Sequence, residues 1–443
     1  MITRKMALSV SLLVSLCLAA PALMVRAEEA TTPIAEPHAE RGWSRVMAGG
    51  FGDPEVALIN RLVLFKEYFY AAGDHNTKGC RIWRSRDGFT WDLMVGANSA
   101  TPDGFGTPNN SGINTLVVFR GFLYAGLWNQ VDGAQLWRSA DGLTWEPVVG
   151  ATAATANGFG KLENSGITAL SVFHDQLFAG TGSLYCKDGV ELWASPDGVQ
   201  WKPVAGERVA LHTALARESK YFLSMETFQD QLYIGTGDQR TGGSEIWRSL
   251  DGWRWEAVVG APSKYRAGMG DSNEDMIYDL TVFKGHLYAG VLNFAHQGGA
   301  LWRSADGATW EIIAGQDAPY SAGFGEPANI GLTTLTVYQG RLYAGITNEQ
   351  GAQVWRSEDG QHWDPFVGHG AALSGGFGNA HNRAVNSLGV FHDALYVGTH
   401  NPKEGAELWR YGMSLPEQGR SPAPETTSIS DASSATATPP SDP

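Results

Sequence analysis

Cysteine is scarce. The chain has 443 residues and three cysteines, Cys17, Cys80 and Cys186. Cys17 falls in an apolar leader, and the other two can pair only if the fold brings them together, so this is no disulfide scaffold. Positive charge is also scarce: 32 Lys and Arg stand against 46 Asp and Glu, a formal charge of −14. Binding to a phosphate backbone needs clustered Lys and Arg, so no nucleic-acid partner is expected. Beyond the leader there is no P-loop, Rossmann fingerprint, HExxH, GxSxG or CxxC. The common nucleotide, zinc-protease, serine-hydrolase and dithiol chemistries therefore have no signature, and no cofactor is predicted.

The two ends differ from the middle. Arg4 and Lys5 precede the apolar run "MALSVSLLVSLCLAAPALMV", and "VRA" before Glu28 suits cleavage after a small residue. Residues 1–27 are expected to be a signal peptide and 28–41 a flexible segment. The mature protein would then be exported, periplasmic or extracellular, without stable membrane insertion. Its charge would be about −17, because only Arg4, Lys5 and Arg26 are lost. Residues 414–443, rich in Pro, Ser and Thr, have too few apolar groups to offset ordering entropy and are expected to be a disordered tail.

What is abundant is glycine (55 residues) and tryptophan (16 residues), which favours short strands and tight turns. Trp83, Trp137, Trp193, Trp247, Trp302, Trp355 and Trp409 recur at intervals of 53 to 56 residues. All but Trp409 have a second Trp eight residues on: Trp91, Trp145, Trp201, Trp255, Trp310 and Trp363. The missing partner stands at the front, where "GWSRVMAGG" (42–50) reads like "LTWEPVVGA" (143–151), so Trp43 completes the seventh pair. Each unit reads as four short strands, as in "INTLVVF", "FLYAGLW", "AQLWRSA" and "LTWEPVV". The expected fold is all-β: a seven-bladed β-propeller over 42–413, closed by the N-terminal strand completing the last blade.

The segment "LWRSADGLTW" (136–145) resembles the Asp-box, or BNR-type, repeat of sialidase-like propellers, S-x-D-x-G-x-T-W. Here Asp and Gly are adjacent in all six complete copies, which implies a tighter Asp-Gly hairpin. The resemblance implies that the box joins the third and fourth strands, away from the ligand face. Asp87, Asp141, Asp197, Asp251, Asp306 and Asp359 recur too evenly to be one catalytic acid. Sialidases resemble six-bladed propellers with an arginine triad; the periodic Arg84, Arg138, Arg248, Arg303, Arg356 and Arg410 read as structural instead.

Function is sought where loops converge and where the period fails. A polar residue follows the second strand of each blade: Asn76, Asn129, Ser183, Asp238, Asn293, Asn348 and Asn401. One position earlier stand His75, Trp128 and His400, with His381 and Arg383 entering the last blade on the same side. Two imidazoles there would suit a divalent metal, and an exposed Trp128 would stack on a sugar. A second anomaly lies in blades 4 and 5, with Glu226, Asp238, Asp279 and the acidic link 271–275. "DSNED" starts like a calcium loop, but Met276 replaces the expected Gly. Paired carboxyls also serve as general acid and base in glycoside cleavage, or form a solvated acidic rim. The leading expectation is a monomeric, non-enzymatic propeller that binds a glycan, peptide or protein on its loop face. The alternatives are a carbohydrate-active enzyme, glycoside hydrolase or polysaccharide lyase, and an assembly or scaffold factor.

Overall fold

A computed structural model describes residues 41–413, apart from 184–188, 207, 210–214, 216–218, 238–242, 271–275 and 296. The expected signal peptide, the tail, Cys186, Asp238, the calcium-like segment and most of the link 207–219 lie outside the described residues. The fold is all-β and antiparallel, built as propellers are from four-stranded meanders. The first meander runs through Leu58–Phe65, Tyr68–Asp74, Arg81–Ser85 and Asp92–Val95, each strand pairing with the next. Innermost strands follow at Gly112–Phe119, Gly166–Phe173, Tyr221–Phe228, Met276–Phe283, Asn329–Tyr338 and Ala384–Phe391. Each packs beside the next, and Ala384–Phe391 packs beside Leu58–Phe65. The strand Arg41–Met47 pairs with Leu408–Met413, setting Trp43 opposite Tyr411.

The core repeats with the sequence. Each Gly-Phe-Gly link holds its Phe in the left-handed region: Phe51, Phe105, Phe159, Phe324 and Phe377 all have φ between 56° and 60°. For a bulky residue that conformation costs on the order of 1–3 kcal/mol. Stacking offsets it. Phe159 stacks on Trp193 at 4.6 Å and meets Trp201 edge-on at 5.6 Å; Phe324 stacks on Trp355 at 4.7 Å and packs at 5.5 Å against Trp363. In the last unit Phe377 stacks on Trp409 at 5.0 Å, and Trp43 takes the edge-on place at 5.1 Å. Trp43 thus packs on Phe377 as the second Trp of the other units packs on its Phe.

Hydrogen bonds lock the same links. Asn329 Nδ2 donates to the Gly323 carbonyl at 2.9 Å and to Gln353 Oε1 at 3.1 Å, which also accepts from Trp355 Nε1 at 2.9 Å. Asn382, Glu407 and Trp409 repeat the relay, as do Asn110, Gln135 and Trp137. A buried amide satisfied on every side fixes one arrangement of the links.

The turns carrying the repeated Ser-x-Asp-Gly segment join the third and fourth strands. They are wider than the two-residue hairpin expected from adjacent Asp and Gly. Pairing stops at Ser304↔Trp310, leaving Ala305 to Thr309 in the loop. Asp306 Oδ1 holds that loop by accepting from the N–H groups of Ala308 and Thr309 at 2.8 and 2.6 Å. The box glycine also touches the preceding unit: a Cβ at Gly142 would overlap the Tyr70 hydroxyl, and one at Gly88 the Tyr396 hydroxyl. Of the periodic arginines, Arg138 and Arg248 pair with Glu146 and Glu256 on the neighbouring strand at 2.6 and 2.5 Å. Arg303 pairs with Glu311 in the same way.

Trp43→Ala removes one indole of the last clamp and loosens the strand Arg41–Met47. Chemical denaturation is expected to show a loss of about 3–5 kcal/mol; a loss below about 1 kcal/mol would mean the strand carries little of the fold.

Candidate active site

Every inner strand carries a β-bulge at the same place, between Ile59 and Arg61 and, for example, between Phe222 and Ser224 and between Ile277 and Asp279. Bulges re-aim side chains and recur beside functional sites. Here they turn Asn60, Thr168 and Thr333 to bond the next strand, with Thr168 Oγ1 donating to Phe222 O at 2.6 Å and Thr333 Oγ1 to Val385 O at 2.7 Å.

One end of the axis is filled. Trp128, Tyr221, Leu223, Met276, Tyr278, Leu292 and Ile330 form a buried cluster that bridges four units. Trp128 is 1% exposed, and its ring lies 6.4 Å from that of Tyr221 two units away. The expected sugar platform is therefore a plug, with no indole face open to a ligand. Asp74, Leu292 and His400 end the equivalent strands, Thr347 stands at the same register, and all four are buried.

Beyond the plug lies a cavity of about 250 Å³, whose walls include Arg61, Thr115, Ser224, Glu226, Asp279 and Asn386. The plug side chains come from the first three positions of the inner strands and the last positions of the second strands, and the cavity walls from the third inner-strand position onward. The cavity therefore faces the hairpins that follow the inner strands, opposite to the loop face expected from the sequence.

Two carboxyls meet here from adjacent strands. Burial pushes Glu226 up to about 7, opposed by a hydrogen bond from the Thr227 N–H at 2.9 Å and reinforced by the charge of Asp279. Burial also raises Asp279 to about 6, against a 2.6 Å bond from the Leu335 N–H and the attraction of Arg61. At neutral pH one group thus holds its proton more tightly than the other, the condition for an acid and a base in one site. Among the described residues Arg61 is the one Lys, Arg or His side chain of the cavity walls, and its Nη1 donates to Asn60 O at 2.8 Å. Sequence reasoning found Glu226 and Asp279 but missed Arg61, Ser224 and Asn386. In the aligned inner strands Arg61 and Asp279 occupy one column, otherwise Thr, Ala and Ser, so the same broken period marks Arg61.

The polar ring is structural, and its register in the first unit differs from the expected one. The backbone N–H of His75 donates to Ser111 O as that of Asn129 does to Ser165 O and that of Asn401 to Ala57 O. His75 itself is the ring residue, and Asn76 is exposed beside it. His75 Nδ1 accepts from the N–H groups of Thr77 and Lys78 at 3.3 and 3.1 Å, as Asn129 Oδ1 accepts from Val131 and Asp132 at 3.0 and 2.7 Å. Asn293 Oδ1 accepts similarly from Ala295, Asn348 Oδ1 from Gln350, and Asn401 Oδ1 from Glu404.

Asp53, Glu55 and His75 could bring three ligand atoms within 4.8 Å of one another. Their bonding does not suit a metal. With Nδ1 accepting, the neutral ring carries its proton on Nε2, which faces Asp53 Oδ2 at 3.3 Å and has no lone pair to give. Burial and the Arg81 charge lower the His75 pKa and favour that neutral ring. Lys78 and Arg81 already occupy Asp53 at 3.0 and 2.9 Å. His400 is not part of this group; burial first, then Arg383, lowers it to about 4, so it too is neutral. His381 Nε2 lies 2.8 Å from Lys403 Nζ, and Arg383 Nη1 lies 3.6 Å from Glu349.

No protein-family profile matches the chain, and no curated protein matches it in sequence. Solved structures do. The GH74 xyloglucanase from Xanthomonas campestris aligns at 20% identity and TM-score 0.51, over 83% of this chain and 53% of that one. The chain thus spans about half that enzyme's length, and the likeness shows the fold, a β-propeller. Polysaccharide lyase Uly1 aligns at 9% identity and TM-score 0.44, covering 80% of this chain and 90% of the lyase. The β-propeller domain of the Trilobed protease from Pyrococcus furiosus aligns at 8% and 0.43, covering 80% and 95%. Among the described residues no helix is long and apolar enough to cross a membrane.

His75→Asn places the ring's usual residue at this position and is expected to leave stability within about 0.5 kcal/mol, whereas His75→Ala strips two N–H groups of their acceptor and costs about 1–3 kcal/mol. Equal thermal denaturation of the two variants would refute the assignment.

Proposed function

We propose that the chain is an exported carbohydrate-active enzyme, a glycoside hydrolase on a seven-bladed Asp-box propeller, with its reacting centre in the axial cavity. The blade count and closure are supported by the Trp43 clamp and by the pairing of Arg41–Met47 with Leu408–Met413. The observation that carries the chemistry is the pair of carboxyls on adjacent inner strands, enclosed by one small cavity. Glu226 gives its proton to the leaving glycosidic oxygen as the C–O bond breaks. Asp279, ionised at neutral pH, takes a proton from the water whose oxygen bonds to the anomeric carbon.

Four residues of the loop-face binding reading, Trp128, Asn129, His400 and Asn401, are buried, which favours the axial cavity over that face.

The test is release of reducing ends from a panel of neutral and uronate-bearing polysaccharides, xyloglucan among them. Glu226→Gln and Asp279→Asn are each expected to lower kcat/KM by about 10²- to 10⁴-fold. The wild-type rate should rise through about pH 6 as Asp279 ionises and fall through about pH 7 as Glu226 loses its proton. Turnover unchanged in both variants would overturn the assignment.

A further inference from the structure

We propose that this enzyme removes single terminal sugar residues and does not cut within a glycan chain, because the axial cavity is blind. The inference rests on the hydrolase reading and adds the part of the substrate that the site accepts. An enzyme that cleaves inside a polymer needs a groove open at both ends. Here the deep end is closed by Trp128, Tyr221, Leu292 and Ile330, all at most 2% exposed. A volume of about 250 Å³ falls just below the roughly 300–1,000 Å³ of ordinary small-molecule pockets, so it suits one ring and not a run of them.

The cavity walls also hold polar atoms without partners. Ser224 Oγ and Asn386 Oδ1 are buried, form no hydrogen bond within the protein, and belong to residues 7% and 4% exposed. Leaving such groups unpaired is costly, typically about 1–3 kcal/mol each, unless something else satisfies them. They lie just beneath the cavity surface, and once their side chains turn toward a bound sugar ring its hydroxyls are donors and acceptors of the right kind.

The order of groups along the strands gives the direction of binding. Asp279 occupies the same register as Ser224, next to the bulge. Glu226 lies two residues nearer the hairpin end on the same strand face, roughly 7 Å along. A terminal ring seated against Ser224 and Asn386 brings its linkage to the level of the carboxyls. Glu226 on the mouth side then protonates the departing oxygen, and the remaining chain leaves through the opening. Water supplies the hydroxyl added to the anomeric carbon and the proton that passes to Asp279.

The experiment follows product lengths and viscosity while the full-length protein digests the most responsive polysaccharide of the panel, with 4-nitrophenyl monosaccharides assayed in parallel. The expected result is free monosaccharide as the sole early product, with viscosity flat while reducing ends accumulate. Ser224→Ala and Asn386→Ala should lower kcat/KM on the 4-nitrophenyl glycoside at least about tenfold, with Tm unchanged. Oligosaccharide products with an early fall in viscosity would overturn the terminal-residue inference and leave the hydrolase standing. No sugar release from any substrate would overturn the hydrolase reading, and the inference with it.

Discussion

A phenylalanine held at positive φ between two indoles is the constraint on which the other features depend. In that conformation the link must turn sharply, and the ring can be buried only if both tryptophans of the unit it enters are in place. The asparagine six residues after the first link glycine then bonds that glycine's carbonyl and a Gln or Glu that also holds an indole N–H. Conformational strain, aromatic packing and buried hydrogen bonding are thereby tied to one geometry. Substituting any member leaves either a cavity or an unpaired polar atom.

That rigidity decides where chemistry can sit. The links and the polar ring are consumed in holding the units together, so their Asn amides and the His75 imidazole have their hydrogen bonds committed. The inner strands are freer because beyond the bulge the residues lining the axial cavity vary from unit to unit. Residues that differ from unit to unit accumulate there: Arg61 on one side, Glu226 and Asp279 together on another, and Trp128 reaching across to seal one end.

Much of this was legible in the sequence, and the misreadings have physical causes. Paired tryptophans at a fixed interval gave the repeat, and Trp43 gave the pairing of the first strand with the last, because aromatic spacing is a direct record of core packing. Glu226 and Asp279 stood out because an acid on an otherwise neutral strand face has no role in packing. The register of the first unit was hidden by "YAAGDHN", where an extra small residue precedes the glycine; the backbone bonds of His75 set it right. Trp128 looked like a platform because sequence position places it at a strand end without showing that the axis is narrow enough for it to reach Tyr221. The bulges beside Ser224 and Asn386 leave no sequence signature of their own.

The central claim is that a carboxylic acid is kept protonated in the axial cavity near neutral pH. Carboxyl ¹³C NMR of glutamate-labelled protein, wild type and Glu226→Gln, tests it directly. The account predicts one resonance that titrates near pH 7, far above the ordinary glutamate value of 4.5, and that is missing from the variant. The folded protein then holds a proton that the unfolded chain has released, so stability should decline as pH rises from about 4.5 to 7, with a shallower decline in Glu226→Gln. Titration of every glutamate below about pH 5 would contradict the account.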